Sequence, residues 1–130
     1  MTRLLLIILL FLSSSPTYAE WVKVGEADSY NYTAYIDPDT IRRKGNLVKV
    51  WKLRNHTTIQ TIAGKSYLSS KAQTEYNCTE EQSRILVVYV YSGQMGNGAQ
   101  VGYDTDPTKW RPVMEGSVDQ AMWKVACGKQ

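Results

Sequence analysis

Residues able to carry catalysis or to bind a metal ion are sparse in this sequence. The chain has one histidine, His56, which lies in a polar, threonine-rich stretch (residues 55–64) that we predict to be a loop. No recognised nucleophile motif accompanies it, and one histidine with two cysteines cannot complete a zinc site. We therefore expect His56 to be an exposed loop residue, and we predict no catalytic residue, no metal site, no cofactor and no enzymatic activity.

Basic side chains gather in one window of the sequence, where they could bind an acidic partner such as a sulfated glycan or an acidic protein segment. On a strand, Lys52 and Arg54 share one face while Lys49 lies on the other. The alternative is an ordinary solvated turn and edge strand, where lysine also discourages aggregation. The formal net charge of +3 is too small to indicate a nucleic-acid partner by itself. The candidate ligand-binding residues are Arg42, Arg43, Lys44, Lys52 and Arg54.

The first 19 residues have the layout of a secretory signal peptide. Arg3 precedes an unbroken apolar run from Leu4 to Leu12, and small and polar residues lead to a cleavage site after Ala19. The apolar run is too short to span a membrane; the alternative is a buried N-terminal helix. We therefore predict a signal peptide over residues 1–19 and a single domain over residues 20–130, with no transmembrane segment in the mature protein.

The two cysteines, Cys78 and Cys127, are an even pair in a chain that we expect to be exported. In an oxidising compartment such a pair normally forms a disulfide, and the alternative is two free thiols. A disulfide that closes a loop of about 50 residues would stabilise the fold by roughly 4 kcal/mol in the chain-entropy model.

The pattern of apolar residues predicts a sheet followed by one helix. Ser117 and Gln120 match a capping box, and apolar residues recur at helical spacing from Val118 to Cys127. The segment Ile85–Tyr91 is apolar at both odd and even positions, which favours a central strand covered on both faces. We predict one helical turn at residues 40–44 and six strands, at residues 21–26, 31–36, 47–54, 66–76, 82–92 and 99–103.

The expected fold is α+β, with an antiparallel sheet of about six strands and the C-terminal helix packed on one face. A helix of ten residues is about 15 Å long, so it cannot cover both faces of the sheet. The other face would expose an apolar patch, which a twofold contact between two copies commonly buries. We therefore predict a homodimer, with Tyr89 and Tyr91 as the candidate self-association residues. The alternative is a sheet that curls closely enough to close on itself, which would leave a monomer.

Short motifs spread along most of the mature chain resemble those of a known family. The third predicted strand reads VKVWKL at Val48–Leu53, and the chain closes on VAC at Val125–Cys127. The motifs between them are Ser66, EYNC at Glu75–Cys78, Tyr91-Ser92, MGNG at Met95–Gly98, WRPV at Trp110–Val113 and EGS at Glu115–Ser117. In this order the set resembles the surface-adhesin protein E family of Gram-negative bacteria.

The resemblance implies an antiparallel sheet, a C-terminal helix held by a disulfide between Cys78 and Cys127, and a tendency to dimerise. It also implies binding of host extracellular matrix or plasma proteins such as vitronectin and laminin. The family's named member is a lipoprotein, whereas this sequence has no cysteine near the predicted cleavage site. We therefore predict a non-enzymatic exported binding module in the periplasm, at the cell surface or outside the cell. The alternative is a periplasmic structural or accessory protein with no host ligand.

Overall fold

Seven β-strands and one α-helix make up residues 20–128, the part of the chain that the computed structural model describes. The predicted signal peptide lies outside the described residues. Two short 3₁₀ turns, Asp28–Tyr30 and Gln94–Gly96, lie between strands. The strands are β1 (Val22–Ala27), β2 (Tyr32–Lys44), β3 (Leu47–Ile62), β4 (Lys65–Asn77), β5 (Gln82–Tyr91), β6 (Gln100–Asp104) and β7 (Arg111–Pro112), and the helix is α1 (Val118–Cys127).

The strands form one curled antiparallel sheet in which neighbours in sequence are also neighbours in space. The order is β1-β2-β3-β4-β5-β6, and β7 pairs with the first residues of β5. Among the described strands, β1 forms one edge of the sheet, while β6 and β7 form the other. Because β1 pairs with neither of them, the sheet stays open and does not close into a barrel. The predicted α+β fold, with about six antiparallel strands and a C-terminal helix, is confirmed.

The two faces of the sheet differ because only one of them packs against α1. Val48 and Val50 alternate with Lys49 along β3 and are fully buried, so they point toward the helix. We call this the inner face, and the opposite face, on which Lys49 lies, the outer face. Burying each large apolar side chain contributes about 2 kcal/mol, and this layer holds the helix in place. The core between the inner face and α1 includes Ile36, Val48, Val50, Tyr76, Met122, Trp123 and Ala126.

Caps at both ends and a disulfide hold α1 against the sheet. Ser117 Oγ accepts a hydrogen bond from the backbone N–H of Gln120 at 3.0 Å, as the predicted capping box requires. Gly128 ends the helix with a φ of 69°, a conformation that glycine adopts without strain. The Cys78–Cys127 disulfide joins the last residue of α1 to the residue that follows β4, so the prediction of this bond is confirmed.

The prediction of a loop at residues 55–64 is wrong. Most of this stretch extends β3, which pairs with β4 across one break in register before a tight turn. Its threonine and isoleucine residues are β-branched and favour a strand, so the polar side chains mark exposure and not irregular backbone. His56 is therefore not an exposed loop residue: it is 8% exposed, and its ring lies edge-on to the rings of Tyr32 and Tyr67.

The prediction of a helical turn at residues 40–44 is also wrong, because β2 runs through it. The pairing of β2 with β3 shifts register between Asp37 and Arg42. Thr40 lies within this irregularity, where its Oγ1 donates a hydrogen bond to Asp37 O at 2.7 Å and accepts one from the Trp51 N–H at 2.9 Å. The threonine side chain replaces the missing backbone partner, and the strand continues past it.

The prediction for Ile85–Tyr91 holds for its position in the sheet but not for its burial. Strand β5 lies between β4 and β6, yet Val90 is its one buried residue. The helix packs mainly against β1, β2, β3 and β4, so both faces of β5 stay partly exposed. Apolar residues at both odd and even positions of β5 therefore lie on two partly exposed faces, and not on two covered faces as predicted.

Candidate functional site

A cavity of about 430 Å³ opens on the inner face, between the first strands and the N-terminal end of α1. Its volume falls in the range of small-ligand sites. The lining combines the aromatic rings of Tyr30 and Tyr32, the apolar side chain of Met122, and the charged side chains of Lys52 and Arg54. A cavity with this composition can hold a ligand that has both apolar and charged groups.

Two smaller cavities adjoin the first, because Lys52 and Arg54 line all three. Their volumes are about 70 Å³ and about 180 Å³. Val88 of β5 lines the smaller one, and Arg111 of β7 lines the other. We call the three cavities together the inner groove, which crosses the inner face from β1 to β5 with Lys52 and Arg54 at its middle.

Lys52 is a charged residue in an apolar part of the sheet. It is 8% exposed, and its strand neighbours Ile36 and Ala72 are buried. Its Nζ lies 3.6 Å from Asp119 Oδ1 and 3.5 Å from Tyr76 Oη. Burial lowers the pKa of Lys52 to about 8, because desolvation penalises the ammonium by more than the Asp119 carboxylate stabilises it.

The carboxylate that faces Lys52 already has short hydrogen bonds from other groups. Asp119 accepts one from Tyr76 Oη at 2.9 Å and one from Ser83 Oγ at 2.8 Å. Burial, together with this carboxylate, raises the pKa of Tyr76 well above its usual value of 10, so its hydroxyl remains a donor. An ammonium has three N–H donors, and the two contacts of Lys52 are long for hydrogen bonds. Lys52 therefore keeps donor capacity for a further anionic group.

Arg54 lies two residues from Lys52 on the same face of β3, and its side chain is exposed. Its guanidinium carbon is 4.7 Å from the centroid of the Tyr32 ring, and this cation–π contact orients the side chain. Desolvation, with the Arg54 charge as a second cause, lowers the pKa of His56. The arginine thus adds a fixed and solvent-accessible positive charge to the groove.

The 180 Å³ cavity contains a hydroxyl group with no hydrogen-bond partner among the described residues. This group is Thr74 Oγ1, and the residue is 1% exposed. A buried hydroxyl without a partner destabilises the fold, so a ligand atom that pairs with it is favoured. The charges of Lys52, Arg54 and Arg111 exceed that of Asp119 along this lining, which suits a carboxylate or another anionic group.

Metal-binding clusters and membrane-spanning helices are both absent from residues 20–128. No three His, Cys, Asp or Glu side chains lie close enough together there to hold a metal ion. The α-helix in that range, α1, is too short to cross a membrane.

Comparison with models of protein families gives a match over nearly all of the described chain. The family described as surface-adhesin protein E matches residues 21–128. The chain belongs to the surface-adhesin protein E family. This assignment confirms the resemblance that the sequence motifs indicate. A sequence comparison with curated proteins gives no significant match.

Solved structures of protein E from Haemophilus influenzae share the fold of this chain. Crystal form II of that protein aligns with a TM-score of 0.65 and 14% identity, over 88% of this chain and 94% of that chain. A second structure aligns with a TM-score of 0.64 and 15% identity, over 88% and 90%. A structure from a non-typeable strain aligns with a TM-score of 0.63 and 13% identity, over 88% and 80%. At these identities the likeness shows the fold alone.

Within this adhesin-E fold, the five candidate ligand-binding residues separate into two groups. Lys52 and Arg54 meet in the inner groove. Arg42, Arg43 and Lys44 lie at the turn end of β2, about 10–16 Å from Lys52 along the strand direction. Arg43 Nη1 donates a hydrogen bond to the last carbonyl of α1 at 3.4 Å, whereas Arg42 and Lys44 pair with outer-face positions of β3. The role of all five in ligand binding stays a prediction.

The two candidate self-association residues, Tyr89 and Tyr91, lie on the outer face of the adhesin-E sheet. Tyr89 is paired with Lys71 of β4, and its ring lies 6.2 Å from that of Trp51, centroid to centroid. Both tyrosines remain partly exposed. Self-association through them stays a prediction.

Sequence reasoning missed the partners of Lys52. Its two contacts, Tyr76 and Asp119, come from β4 and α1, and Ser83, which donates a hydrogen bond to Asp119, comes from β5. Nothing local in the sequence connects these residues. Asp119 lies between the two residues that match the capping box, and no sequence pattern marks it as a contact of Lys52. One signal was available: Lys52 has the same strand parity as the apolar Val50, which places its side chain on the buried face.

Proposed function

We propose that this protein is a non-enzymatic exported binding module that attaches to a host extracellular matrix or plasma protein. Membership of the surface-adhesin protein E family supports an adhesin-like role. The inner groove supports the same role, because Lys52 and Arg54 are suited to hold acidic groups. The single observation that carries the proposal is the buried ammonium of Lys52, which keeps donor capacity beside an open cavity.

The ligand that best fits the groove is an acidic segment of a protein. A carboxylate between Lys52 and Arg54 makes charge-assisted hydrogen bonds, each contributing about 1.5–3 kcal/mol. In the adjoining cavity, an oxygen atom of the same segment would pair with the Thr74 hydroxyl, which has no hydrogen-bond partner among the described residues. At the β1 end, Glu26 and Asp28 line the groove, so a basic residue of the same segment is favoured there. The groove therefore selects a segment with acidic and basic residues in a fixed order.

The chemistry of the groove supports binding and not catalysis. Lys52, whose pKa is about 8, stays protonated at pH 7 and faces the Asp119 carboxylate. The protonated form predominates at that pH, and it is a hydrogen-bond donor. His56 does not line any of the three cavities of the groove, and its ring lies against Tyr32 and Tyr67.

Equilibrium binding of the purified mature protein to immobilised vitronectin and laminin tests the proposal. Arg54→Ala removes an exposed charge without opening the core, so we expect binding to weaken about 10- to 100-fold while Tm changes little. Lys65→Ala is the matched control, because Lys65 is exposed at the start of β4 and outside the groove. We expect this control to bind like the wild type. Added salt should weaken the binding of the wild type and of Lys65→Ala alike. Equal affinities for the wild type and Arg54→Ala would exclude the groove as the binding site.

Location separates the adhesin proposal from its alternative, a periplasmic structural or accessory protein with no host ligand. Protease added to intact cells degrades a protein displayed at the surface and spares one held in the periplasm. We expect degradation of this protein under conditions that leave a periplasmic marker intact. Full protection, with recovery in the periplasmic extract and no binding to the host proteins, would favour the alternative.

A further inference from the structure

The outer face carries a second pocket, on the opposite side of the sheet from the inner groove. It has a volume of about 280 Å³, and its lining is largely aromatic, with Trp21, Trp51, Tyr89 and Tyr91. The rings of Trp51 and Tyr89 are nearly parallel, with an interplanar angle of 15° and centroids 6.2 Å apart. They come from β3 and β5 and approach each other over β4. Flat aromatic surfaces of this kind suit ligands that present the apolar face of a ring.

One positive charge lies among these aromatic side chains. Lys71 Nζ is 5.9 Å from the centroid of the Trp21 ring and 5.2 Å from that of the Tyr91 ring, within the range of cation–π attraction. Among the described residues, no carboxylate forms an ion pair with Lys71. The ammonium is therefore oriented by the rings and available to an anionic group of a ligand.

The loop that follows β5 holds Lys71 in this position. Ser69 Oγ donates a hydrogen bond to a loop carbonyl at 2.6 Å and accepts one from the Gly96 N–H at 2.8 Å. The Met95 N–H donates to Asn55 Oδ1 at 2.8 Å. Gly96 has a φ of +75°, and a Cβ at this position would clash with Lys71 Cε. The loop thus packs against the end of the Lys71 side chain, and the positive φ at position 96 favours glycine there.

A row of exposed basic residues continues from the pocket along the outer face to the turn between β2 and β3. Lys49 lies two residues from Trp51 on the same face of β3, and Arg42 is its partner on β2. Lys44 follows at the turn, on the same face. The acidic neighbour of Lys49 on β4, Glu75, is already ion-paired with an arginine at 2.7 Å. The outer face is therefore positively charged beside its aromatic pocket.

We propose that the outer face binds a sulfated glycan chain, with one sugar ring in the aromatic pocket and its sulfate groups on Lys71 and the basic row. Sugar rings have apolar C–H faces that pack on tryptophan and tyrosine, and sulfate oxygens accept hydrogen bonds from ammonium and guanidinium groups. Asp37 and Thr40, which also line the pocket, accept hydrogen bonds from sugar hydroxyls. A second copy of the chain fits less well, because a twofold contact brings two positively charged faces together.

Calorimetric titration of the mature protein with a heparin-derived hexasaccharide tests this site independently of the inner groove. We expect Lys71→Gln and Trp51→Ala each to weaken binding by about tenfold or more. Lys65→Gln removes one exposed positive charge outside both the pocket and the inner groove, so it is the matched control and should bind like the wild type. The hexasaccharide should also change the tryptophan fluorescence of the wild type, and by more than that of Trp51→Ala, in which Trp21 is the tryptophan left in the pocket lining. If Trp51→Ala fails to fold, Lys71→Gln and the loop variant Gly96→Ala, which displaces Lys71, still decide the question.

Three results would overturn the proposal. Unchanged affinity in both Lys71→Gln and Trp51→Ala would mean that the hexasaccharide binds through the general positive charge of the protein and not in the aromatic pocket. Equal binding of hyaluronan or maltohexaose, which carry no sulfate, would mean that sulfate is not recognised. A dimer in sedimentation experiments that persists in excess hexasaccharide, and that charged substitutions at Tyr89 and Tyr91 dissociate, would assign the pocket to a second copy.

Discussion

Replacing Lys52 with methionine should stabilise the protein at neutral pH, although Lys52 is the residue on which the proposed binding site depends. Methionine keeps the unbranched stem and removes the charge. The pKa of Lys52 falls from 10.5 to about 8 on burial, and each unit corresponds to 1.36 kcal/mol. The buried ammonium therefore destabilises the fold by about 3 kcal/mol at pH 7. Asp119 keeps its hydrogen bonds from Tyr76 and Ser83, so we expect a net gain of about 1–3 kcal/mol.

The pH dependence of this gain separates the effect of charge from the effect of packing. Because the pKa of Lys52 is lower in the folded than in the unfolded state, the unfolded chain binds more protons between pH 8 and 10.5. The stability of the wild type therefore rises with pH in that window, by about 2 kcal/mol between pH 7 and pH 9.5. The advantage of Lys52→Met should shrink by the same amount. Tyr76, whose pKa is raised, is present in the wild type and in Lys52→Met. Its contribution to the pH dependence of stability therefore cancels when the two proteins are compared.

Urea denaturation followed by tryptophan fluorescence at pH 7, 8.5 and 9.5 measures the stability gain of Lys52→Met and the change of this gain with pH. Lys52→Arg is the control, because it keeps a buried positive charge and should show no gain in stability. The reasoning is refuted if Lys52→Met is less stable than the wild type at pH 7, or if its advantage does not change with pH. The same variant should bind vitronectin and laminin more weakly, so that stability and binding move in opposite directions.

Two further variants test other parts of the fold. Replacing Cys78 and Cys127 together with serine should destabilise the protein by about 4 kcal/mol in urea denaturation, because the bond closes a long loop; a stability equal to that of the wild type would contradict this. Burial lowers the pKa of His56 below 6.5, so the unfolded chain is protonated first and stability should fall as the pH drops below 6.5. His56→Phe should lose this dependence in melting curves between pH 7.5 and pH 5, and an identical slope for both proteins would assign the effect to other groups.

Features of the fold that depend on local pattern could be read from the sequence. The helix α1 was predictable because Ser117 and Gln120 cap it and its apolar residues recur at helical spacing. The Cys78–Cys127 disulfide was predictable because two cysteines in an exported chain normally pair. The full length of β3 was not predictable, because its polar second half looks like a loop when no partner strand is visible. The pairing with β4 makes that segment a strand, and pairing is a property of the tertiary fold.

The candidate site was predictable only in part, for a related reason. Strand parity places Lys52 and Arg54 on one face, and they do share the inner groove. The same parity rule separates Arg42 from them once the register of β2 is known. The contact between Lys52 and Asp119 depends on how far the sheet curls toward α1, which no sequence pattern reports. The outer aromatic pocket likewise needs side chains from β3, β4 and β5 in register.

The Cys78–Cys127 bond also determines how far the molecule extends under tension. A pulling force between residues 20 and 128 passes directly from one sulfur to the other, so β5, β6, β7 and α1 carry no load. The 49 residue steps between the cysteines would otherwise add about 160–175 Å of contour length. The load falls on β1 to β4, which include the strand that carries Lys52 and Arg54. Reduction of this one bond nearly doubles the length to which the chain between residues 20 and 128 can be extended.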